Sequence, residues 1–538
     1  MRRFHLVAAL FLFALTLPYL WALATTPDGF IYGGLLYNPD DQNVHLAWAR
    51  AAFDGQFFFR DFFTTENLNG ETPLFTNLFC WLIGTLSRIT HLPLVVVYHL
   101  ARVVFAFLAL RWFFALCALW TSDKRARFLA LVFMAFSGGA GWLVFLFPNR
   151  TWIDRADGNL MMPEAWTFTS ALIFPLYIAS MALLIFVFLQ VELARRTSRM
   201  KHAIFAALAA FLLTNIHTYD AIPLGIILLA WSVKSTPLFG RTFGEERISS
   251  RLSRLAPIVA LCGTIPPILY QLYVFKNSSE FQIKALTKTA APPLGDVLLS
   301  YSPLLILAVA GLILSRKMQI GRVALLWFLV TFLCVYAPVS FSRKMIEGLH
   351  LPLCFLAALG ASALLDKVSV PMARRALAAI GVIVLSTSSF NFVAWCLSNA
   401  SDNNRSRTQF LMPPLYLARD DHAALQWISA NAPQGRAVLC LPFLGNYAPR
   451  ETGRNVYVGH RWETLNFGRK LADTLRFFGL GESIRQSNME ADQARRFLRD
   501  NRIGVVVIGS YEKDFGARLP LNLKLLHQTG NTGVYAVE

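Results

Sequence analysis

The 538-residue chain is 55% hydrophobic and only 15% charged, a composition that excludes an ordinary soluble enzyme. Its formal net charge is +18, but Lys and Arg gather in short segments between apolar stretches. Because cytoplasmic loops of membrane proteins have this distribution, the charge indicates membrane topology and excludes nucleic acid as a partner. The 7 cysteines lie mainly within the apolar stretches, so no disulfide framework is implied.

Apolar stretches long enough to cross a bilayer recur from the N-terminus to about Leu397. We predict about eleven membrane-spanning helices. They lie near residues 4–24, 92–119, 128–147, 170–192, 203–217, 220–233, 255–275, 296–314, 323–339, 349–366 and 376–397. The segment 73–88 is apolar as well, but we predict it to be interfacial or re-entrant, because a crossing there would move the basic residues at 124–127 outside. The basic segments between the spans predict a cytoplasmic N-terminus. The odd number of spans then predicts a C-terminus on the outer side of the cytoplasmic (inner) membrane.

The chain divides into three predicted parts. Residues 1–397 form a polytopic all-α membrane domain, whose first outer loop covers residues 25–91. Residues 398–412 are a polar linker. Between residues 413 and 538, short β-rich runs alternate with helical patterns, which predicts a small extracytoplasmic α/β domain.

The first outer loop carries an adjacent pair of carboxylates, Asp40 and Asp41. Pro39 before them indicates the start of a helix, on which Asp41 and His45 share a face. A carboxylate near the acceptor hydroxyl can act as the general base, and a second acid could orient it or hold a metal. Acidic residues in a first helical turn also stabilise the helix without any catalytic role, and this alternative stays open.

Two further acidic residues lie in predicted outer loops. Glu66 follows a phenylalanine-rich stretch typical of the headgroup layer, and we predict it to be a third catalytic carboxylate. Glu164 lies near the end of the loop 148–169, just before Trp166, and is a predicted substrate-binding residue. We predict that Asp154 and Asp157 in the same loop are solvated surface charges without a role in the site.

Polar residues interrupt the apolar sequence at two further places. His217 and Asp220 lie between two short spans, where buried ionisable groups are costly and usually functional. A turn that merely satisfies its own backbone is the alternative. Arg343 and Lys344 lie on the predicted outer face, where few cations are expected, and would suit a lipid phosphate. Contact with anionic headgroups is the alternative there.

This layout resembles that of the GT-C glycosyltransferases, especially the bacterial branch related to protein mannosyltransferases, the lipid A aminoarabinose transferase and the rhizobial lipopolysaccharide transferases. The resemblance covers residues 1–397 in layout and is specific mainly at Asp40-Asp41. It implies a polyprenyl-phosphate sugar as the donor substrate and an aspartate of this loop as base or site organiser, a role that carries over to Asp40 or Asp41. The sequence departs from the mannosyltransferase branch in having Asp-Asp where Asp-Glu is common, and the Pro-Pro-Leu-like start of the next helix is reduced to Thr72-Pro73-Leu74.

The predicted function is therefore transfer of a sugar from a polyprenyl-phosphate donor to an extracytoplasmic glycan, lipid or protein. If the reaction is a single displacement, the configuration at the anomeric carbon of the sugar is inverted. The sequence leaves open whether the reaction requires a divalent cation. A polytopic transporter or lipid flippase would instead carry charged residues deep in its spans and paired repeats of broken helices. A catalytically inactive GT-C-like scaffold is the other alternative.

Overall fold

The computed structural model describes residues 2–69, 74–146, 162–233, 251–285, 287–314, 322–402 and 414–537. Most of them are helical. In this part of the chain 7 helices are long and apolar enough to cross a membrane: Arg2–Ala24, Leu94–Trp120, Pro175–Thr197, Leu255–Asn277, Leu294–Leu314, Ser342–Asp366 and Pro371–Ser401. Shorter apolar helices are Leu78–Thr90, Met200–Ile216, Thr218–Ser232 and Arg322–Val335. The protein is therefore an integral membrane protein.

Seven of the predicted spans coincide with these long helices, and four do not. The four fall on shorter helices: Lys124–Phe136, Met200–Ile216, Ala221–Ser232 and Arg322–Val335. The count of about eleven spans is thus not confirmed.

The predicted span 128–147 is wrong in its second half, because the helix Lys124–Phe136 ends before a glycine pair. Gly139 has a φ of +76°, a left-handed conformation that glycine adopts without strain. A Cβ on Gly138 would lie 2.5 Å from Ser389 Oγ, and one on Gly139 would lie 2.5 Å from Ser300 O. These glycines therefore make a close-packed turn where the sequence predicted continuous helix.

The chain forms two compact units. The first unit comprises Met1–Leu17, His99–Leu272 and Thr287–Trp395, and the second comprises Pro18–Tyr98, Tyr273–Leu286 and Cys396–Glu538. The described helices that lie wholly or mostly in the first unit are Arg2–Ala24, Leu94–Trp120, Lys124–Phe136, Thr167–Ile173, Pro175–Thr197, Met200–Ile216, Ala221–Ser232, Arg251–Asn277, Leu294–Leu314, Arg322–Val335, His350–Asp366 and Pro371–Ser401.

Small residues allow close helix packing in the first unit. A Cβ on Gly360 would overlap Leu307 O, and one on Gly311 would lie 2.5 Å from Leu356 O. The helices Leu294–Leu314 and His350–Asp366 therefore approach each other backbone to backbone, as small residues permit in membrane helices.

The second unit contains the first loop and the C-terminal segment. Its helix Pro39–Phe53 packs on Leu78–Thr90, where a Cβ on Gly84 would overlap Ala49 O. The same helix contacts the helix Pro442–Thr452, with Asn43 Nδ2 donating to Asn446 Oδ1 at 2.5 Å. Further helices of this unit are Ser279–Ala285, Arg419–Asn431, Phe467–Phe477, Ala491–Asp500 and Ser510–Asp514.

Two small sheets complete the described part of the second unit. Strand β1 (Phe30–Tyr32) pairs antiparallel with β2 (Tyr416–Ala418). The strands β3 (Ala437–Leu439), β4 (Ile503–Ile508), β5 (Leu525–Thr529) and β6 (Thr532–Ala536) form a sheet of order β3-β4-β6-β5, in which only β3 and β4 are parallel. The segment after residue 413 thus contains both strands and helices.

Candidate functional site

The Asp40-Asp41 pair lies in the first turn of the helix Pro39–Phe53 in the second unit. Asn38 before it adopts a left-handed conformation with φ 46° and ψ 54°, which asparagine tolerates better than most residues. Pro39 then supplies a φ suited to the first helical position. The free N–H groups and the dipole of a helix N-terminus favour negative charge, so this first turn stabilises the ionised form of both carboxylates.

Asp41 is held by hydrogen bonds from two side chains. Asn38 Nδ2 donates to Oδ2 at 2.6 Å, and His460 Nε2 lies 3.0 Å from Oδ1. Desolvation acts in the opposite direction, but the hydrogen bond from His460 lowers the pKa of Asp41 to about 2. Asp41 is therefore ionised at physiological pH.

The backbone around His460 determines which ring nitrogen carries the proton. His460 is 1% exposed, and its Nδ1 accepts from the backbone N–H of Trp462 at 3.1 Å and of Glu463 at 3.0 Å. The Nδ1 lone pair is therefore occupied, so the proton lies on Nε2 and is donated to Asp41.

Asp40 differs from its neighbour. Its side chain is 16% exposed, and no described residue donates a hydrogen bond to its buried Oδ1. Burial and the negative charge of Asp41 raise the pKa of Asp40. Asp40 is the more basic carboxylate of the pair and has an oxygen free to accept a proton.

The other predicted residues of this unit have different partners. His45 Nδ1 lies 3.3 Å from Tyr98 Oη. Glu66 makes an ion pair of 2.6 Å with Lys470, which is 1% exposed, and also accepts from Thr64 Oγ1. Desolvation opposes the effect, but the hydrogen bond from Lys470 lowers the pKa of Glu66. Glu66 is thus engaged with Lys470 and not with Asp40 or Asp41.

A second set of charged residues in this unit was not predicted. Lys284 Nζ lies 2.7 Å from Asp61 Oδ2 and also pairs with Glu463, whose backbone N–H binds His460. Glu280 is 4% exposed, and burial together with the charge of Asp61 raises its pKa to about 7. For Glu463 the available sequence signal was its place in a polar segment shortly after a β-rich run, a loop position of the kind that often carries function.

The predicted polar residues of the first unit meet at a different place. His217 Nδ1 lies 3.0 Å from Asp220 Oδ2 and 3.2 Å from Glu347 Oε2. All three side chains are buried, and the other oxygen of Glu347 accepts from Ser180 Oγ. Glu347 was not predicted, although it comes only three residues after the predicted Lys344.

The remaining three predicted residues also belong to the first unit. Arg343 Nε lies 3.4 Å from Glu164 Oε1, and Lys344 Nζ lies 4.8 Å from the centroid of the Tyr219 ring. One face of Tyr219 therefore stabilises the ammonium group by a cation–π contact.

Two sets of side chains in the described residues could hold a metal ion. They are Asp40, Asp41 and His460, and His217, Asp220 and Glu347, each with its donor atoms within 4.8 Å of one another. In the first set the Nε2 proton of His460 is directed at Asp41, so the oxygen atoms of the two aspartates are the suitable ligands there. Oxygen ligands of this kind suit Mg²⁺ or Mn²⁺.

Comparison with known proteins finds similarity at the level of structure only. No protein-family profile matches the sequence, and no curated protein does. The structure of ArnT from Cupriavidus metallidurans bound to undecaprenyl phosphate superposes with a TM-score of 0.52 at 12% identity, covering 98% of both chains. The arabinofuranosyltransferase AftD from Mycobacteria superposes with a TM-score of 0.53 at 15% identity, covering 100% of this chain and 40% of that one.

A third, weaker similarity is to the oligosaccharyltransferase of Archaeoglobus fulgidus, with a TM-score of 0.48 at 12% identity over 93% of this chain and 69% of that one. At these identities a likeness establishes the fold and not the activity. The resemblance noted in the sequence is confirmed, and the chain has the fold of the GT-C membrane glycosyltransferases.

Proposed function

We propose that the protein is a membrane glycosyltransferase that transfers a sugar from a polyprenyl-phosphate donor to an acceptor hydroxyl outside the cytoplasm. The GT-C fold supports the reaction class, and the structure of ArnT, which contains undecaprenyl phosphate, supports the type of lipid carrier. The single observation that carries the proposal is the state of Asp40, a half-buried carboxylate with a raised pKa and a buried oxygen without a described hydrogen-bond partner.

Asp40 is the proposed general base. A carboxylate whose pKa is raised accepts a proton more readily than an ordinary aspartate, provided that it is still ionised. Asp41 is already hydrogen-bonded by Asn38 and His460 and has a lowered pKa, so it is a poor proton acceptor. Its proposed role is to raise the pKa of Asp40 by its charge.

The proposed reaction is a single displacement. The acceptor hydroxyl gives its proton to Asp40 while its oxygen forms a bond to the anomeric carbon of the donor sugar. The bond between that carbon and the phosphate oxygen breaks, and the polyprenyl phosphate leaves with the bonding electrons. One displacement at one carbon inverts its configuration.

The leaving phosphate requires positive charge. Arg343 and Lys344 are the proposed phosphate ligands. Arg343 Nε lies 3.4 Å from Glu164 Oε1 but makes no hydrogen bond within the described residues, and Lys344 Nζ lies over the neutral Tyr219 ring. If a divalent cation is also bound, Asp40 and Asp41 would hold it, and it would stabilise negative charge in the transition state.

The remaining predicted residues keep more general roles in the proposal. His45, Glu164, His217 and Asp220 are proposed to contribute to substrate binding. Glu66 is proposed to support the site by fixing Lys470. The acceptor class stays open among glycan, lipid and protein, and the proposed location is the cytoplasmic (inner) membrane with the site on its outer face.

The proposal is tested with membranes carrying the wild type, Asp40→Asn or Asp54→Asn and a panel of radiolabelled polyprenyl-phosphate sugars. General-base catalysis contributes roughly 10²- to 10⁴-fold, so Asp40→Asn should reduce transfer by about that factor. Asp54 caps the same helix at its other end and pairs with Arg50, so Asp54→Asn serves as the matched control and should transfer normally.

Equal turnover by the wild type and Asp40→Asn would remove Asp40 from the mechanism. Movement of the intact lipid-linked sugar across proteoliposomes without transfer would instead support the transporter or flippase alternative.

A further inference from the structure

The cluster of His217, Asp220 and Glu347 lies in the first unit, where three chain segments meet. His217 directly follows the helix Met200–Ile216, and Asp220 ends a single turn that leads into the helix Ala221–Ser232. Glu347 follows the turn Ser342–Ile346 and precedes Gly348, whose φ of +81° sets the direction of the chain into the next helix. The backbone thus directs three ionisable side chains toward one point.

These side chains are buried, and several of their polar atoms have no hydrogen-bond partner among the described residues. His217 is 8% exposed, and Asp220 and Glu347 are each 1% exposed. Among the described residues, no hydrogen bond reaches His217 Nδ1, either oxygen of Asp220, or Glu347 Oε2. An unsatisfied buried polar atom costs about 1–3 kcal/mol, and more when it is charged, so four such atoms at one point require an explanation.

A proton on His217 does not satisfy the cluster. The single Nδ1–H of an imidazolium could serve one or two of the three open carboxylate oxygens, and the pair of carboxylates would still leave an excess negative charge buried. Lys344 is the next cation in the sequence, but its Nζ lies over the Tyr219 ring and makes no hydrogen bond to these oxygens.

A divalent cation can bind one of these atoms from each of the three residues at once. One atom from each residue lies within 4.8 Å of the other two, a separation that ligands of one metal ion can have. Two carboxylates neutralise the charge of the ion, and the Nδ1 lone pair supplies the third ligand. Ser180 donates to the remaining oxygen of Glu347, an outer contact of the kind that orients metal ligands.

We infer that His217, Asp220 and Glu347 form a binding site for a divalent transition-metal ion. One imidazole nitrogen with two carboxylates is a donor set for Zn²⁺ or Mn²⁺ and not for Ca²⁺ or Mg²⁺, which prefer oxygen ligands only. Three protein ligands leave at least one coordination position for water or a substrate oxygen. The inference does not depend on the proposed transferase activity, because metal content is measured without a sugar substrate.

The test is metal content of the full-length protein in detergent. The protein is stripped with a chelator, equilibrated with Zn²⁺ or Mn²⁺, desalted and analysed by plasma mass spectrometry. The measurement uses an Asp40→Asn/Asp41→Asn background so that the first-loop carboxylates contribute no ion. We expect about one ion per chain in that background and a loss of it when Glu347→Gln or Asp220→Asn is added.

The matched control is Glu280→Gln, because Glu280 is also buried and also has an oxygen without a described hydrogen-bond partner. This control should keep the ion. The same ion should raise the thermal midpoint of the background protein and of the control, but not that of the Glu347→Gln variant.

If the ligand substitutions prevent folding, a milder variant still tests the site. Ser180→Ala keeps all three ligands and removes only the donor to Glu347, so it should weaken the ion's affinity about 10- to 100-fold. Absence of bound Zn²⁺ and Mn²⁺ in the background protein would overturn the inference. Equal metal content with and without Glu347→Gln in a monodisperse protein would overturn it as well.

Discussion

His460 and His217 each lie beside two carboxylates, yet their Nδ1 atoms have opposite surroundings. His460 Nδ1 accepts two backbone N–H groups, from Trp462 and Glu463. His217 Nδ1 accepts none within the described residues and faces Asp220 and Glu347 at 3.0 and 3.2 Å. The first imidazole is therefore held as a hydrogen-bond donor at Nε2, whereas Nδ1 of the second is the nitrogen that the proposed metal ion would bind.

The difference shows that residue types alone do not assign chemistry to a His–carboxylate cluster. Both clusters contain one histidine and two acids, and both have suitable distances for a metal ion. The backbone donors near the ring decide which nitrogen is free. Three substitutions test what the partners of individual acidic and histidine side chains contribute, and the largest effect is expected at His460.

His460→Phe removes the donor to Asp41 and should reduce sugar transfer by about 10- to 100-fold. A hydrogen bond to a charged group contributes roughly 1.5–3 kcal/mol, and about 1.4 kcal/mol corresponds to a factor of ten. The measurement is kcat/KM for transfer. His460→Gln can place an amide N–H near the former Nε2 position and should recover part of the activity. Equal loss in both variants would show that the ring does more than donate to Asp41.

Asp41→Asn should move the acid limb of the pH–rate profile to lower pH. Asp40 must be ionised to accept a proton, so activity is present above its folded-state pKa and is lost as pH falls through it. The charge of Asp41 raises the pKa of Asp40, and its removal lowers that pKa. The profile of kcat/KM against pH is compared between the wild type and the variant. A limb that stays in place or moves upward would mean that Asp40 is not the titrating group.

Glu66→Gln should lower the free energy of unfolding by about 1 kcal/mol, because it leaves the buried Lys470 without its carboxylate partner. Solvent screening limits the effect, since the Glu66 side chain is 37% exposed. The check is the thermal midpoint in detergent. The pKa of Glu66 is lowered in the folded state, so its contribution is present above the unfolded-state pKa and is lost as pH falls through the folded-state value.

Asp492→Asn is the control for this change, because Asp492 and Arg495 are both exposed and 4.0 Å apart. It should leave the midpoint nearly unchanged. A midpoint difference between Glu66→Gln and the wild type that persists unchanged in acid would contradict the assigned ion pair.

Part of the fold follows from local sequence, and seven predicted spans coincide with long apolar helices. The start of a helix at Pro39 was predicted correctly as well, because proline and acidic residues suit a first helical turn. The error at 128–147 has a local cause: Gly138 and Gly139 lie in an apolar stretch whose hydropathy is that of a continuous helix. Only their contacts with Ser389 and Ser300 show that they form a turn.

The sequence selected some members of each of the two clusters and not others. Asp40 and Asp41 were selected as an adjacent carboxylate pair suited to general-base chemistry, and His217 and Asp220 because ionisable residues between apolar spans are costly. Their partners His460 and Glu347 were not selected, since nothing near either one in the sequence pairs it with them. His460 is 419 positions from Asp41, and Lys470 is 404 positions from Glu66.

Local sequence is enough to identify a polytopic membrane protein with acidic residues at the start of a helix in its first loop, because hydropathy and helix-start preferences act over short stretches of chain. Tertiary structure alone decided which acids are partnered, which nitrogen of each histidine is free, and that Asp40 is the more basic aspartate. Those properties depend on the direction of individual N–H groups and lone pairs, which distant segments supply only after folding.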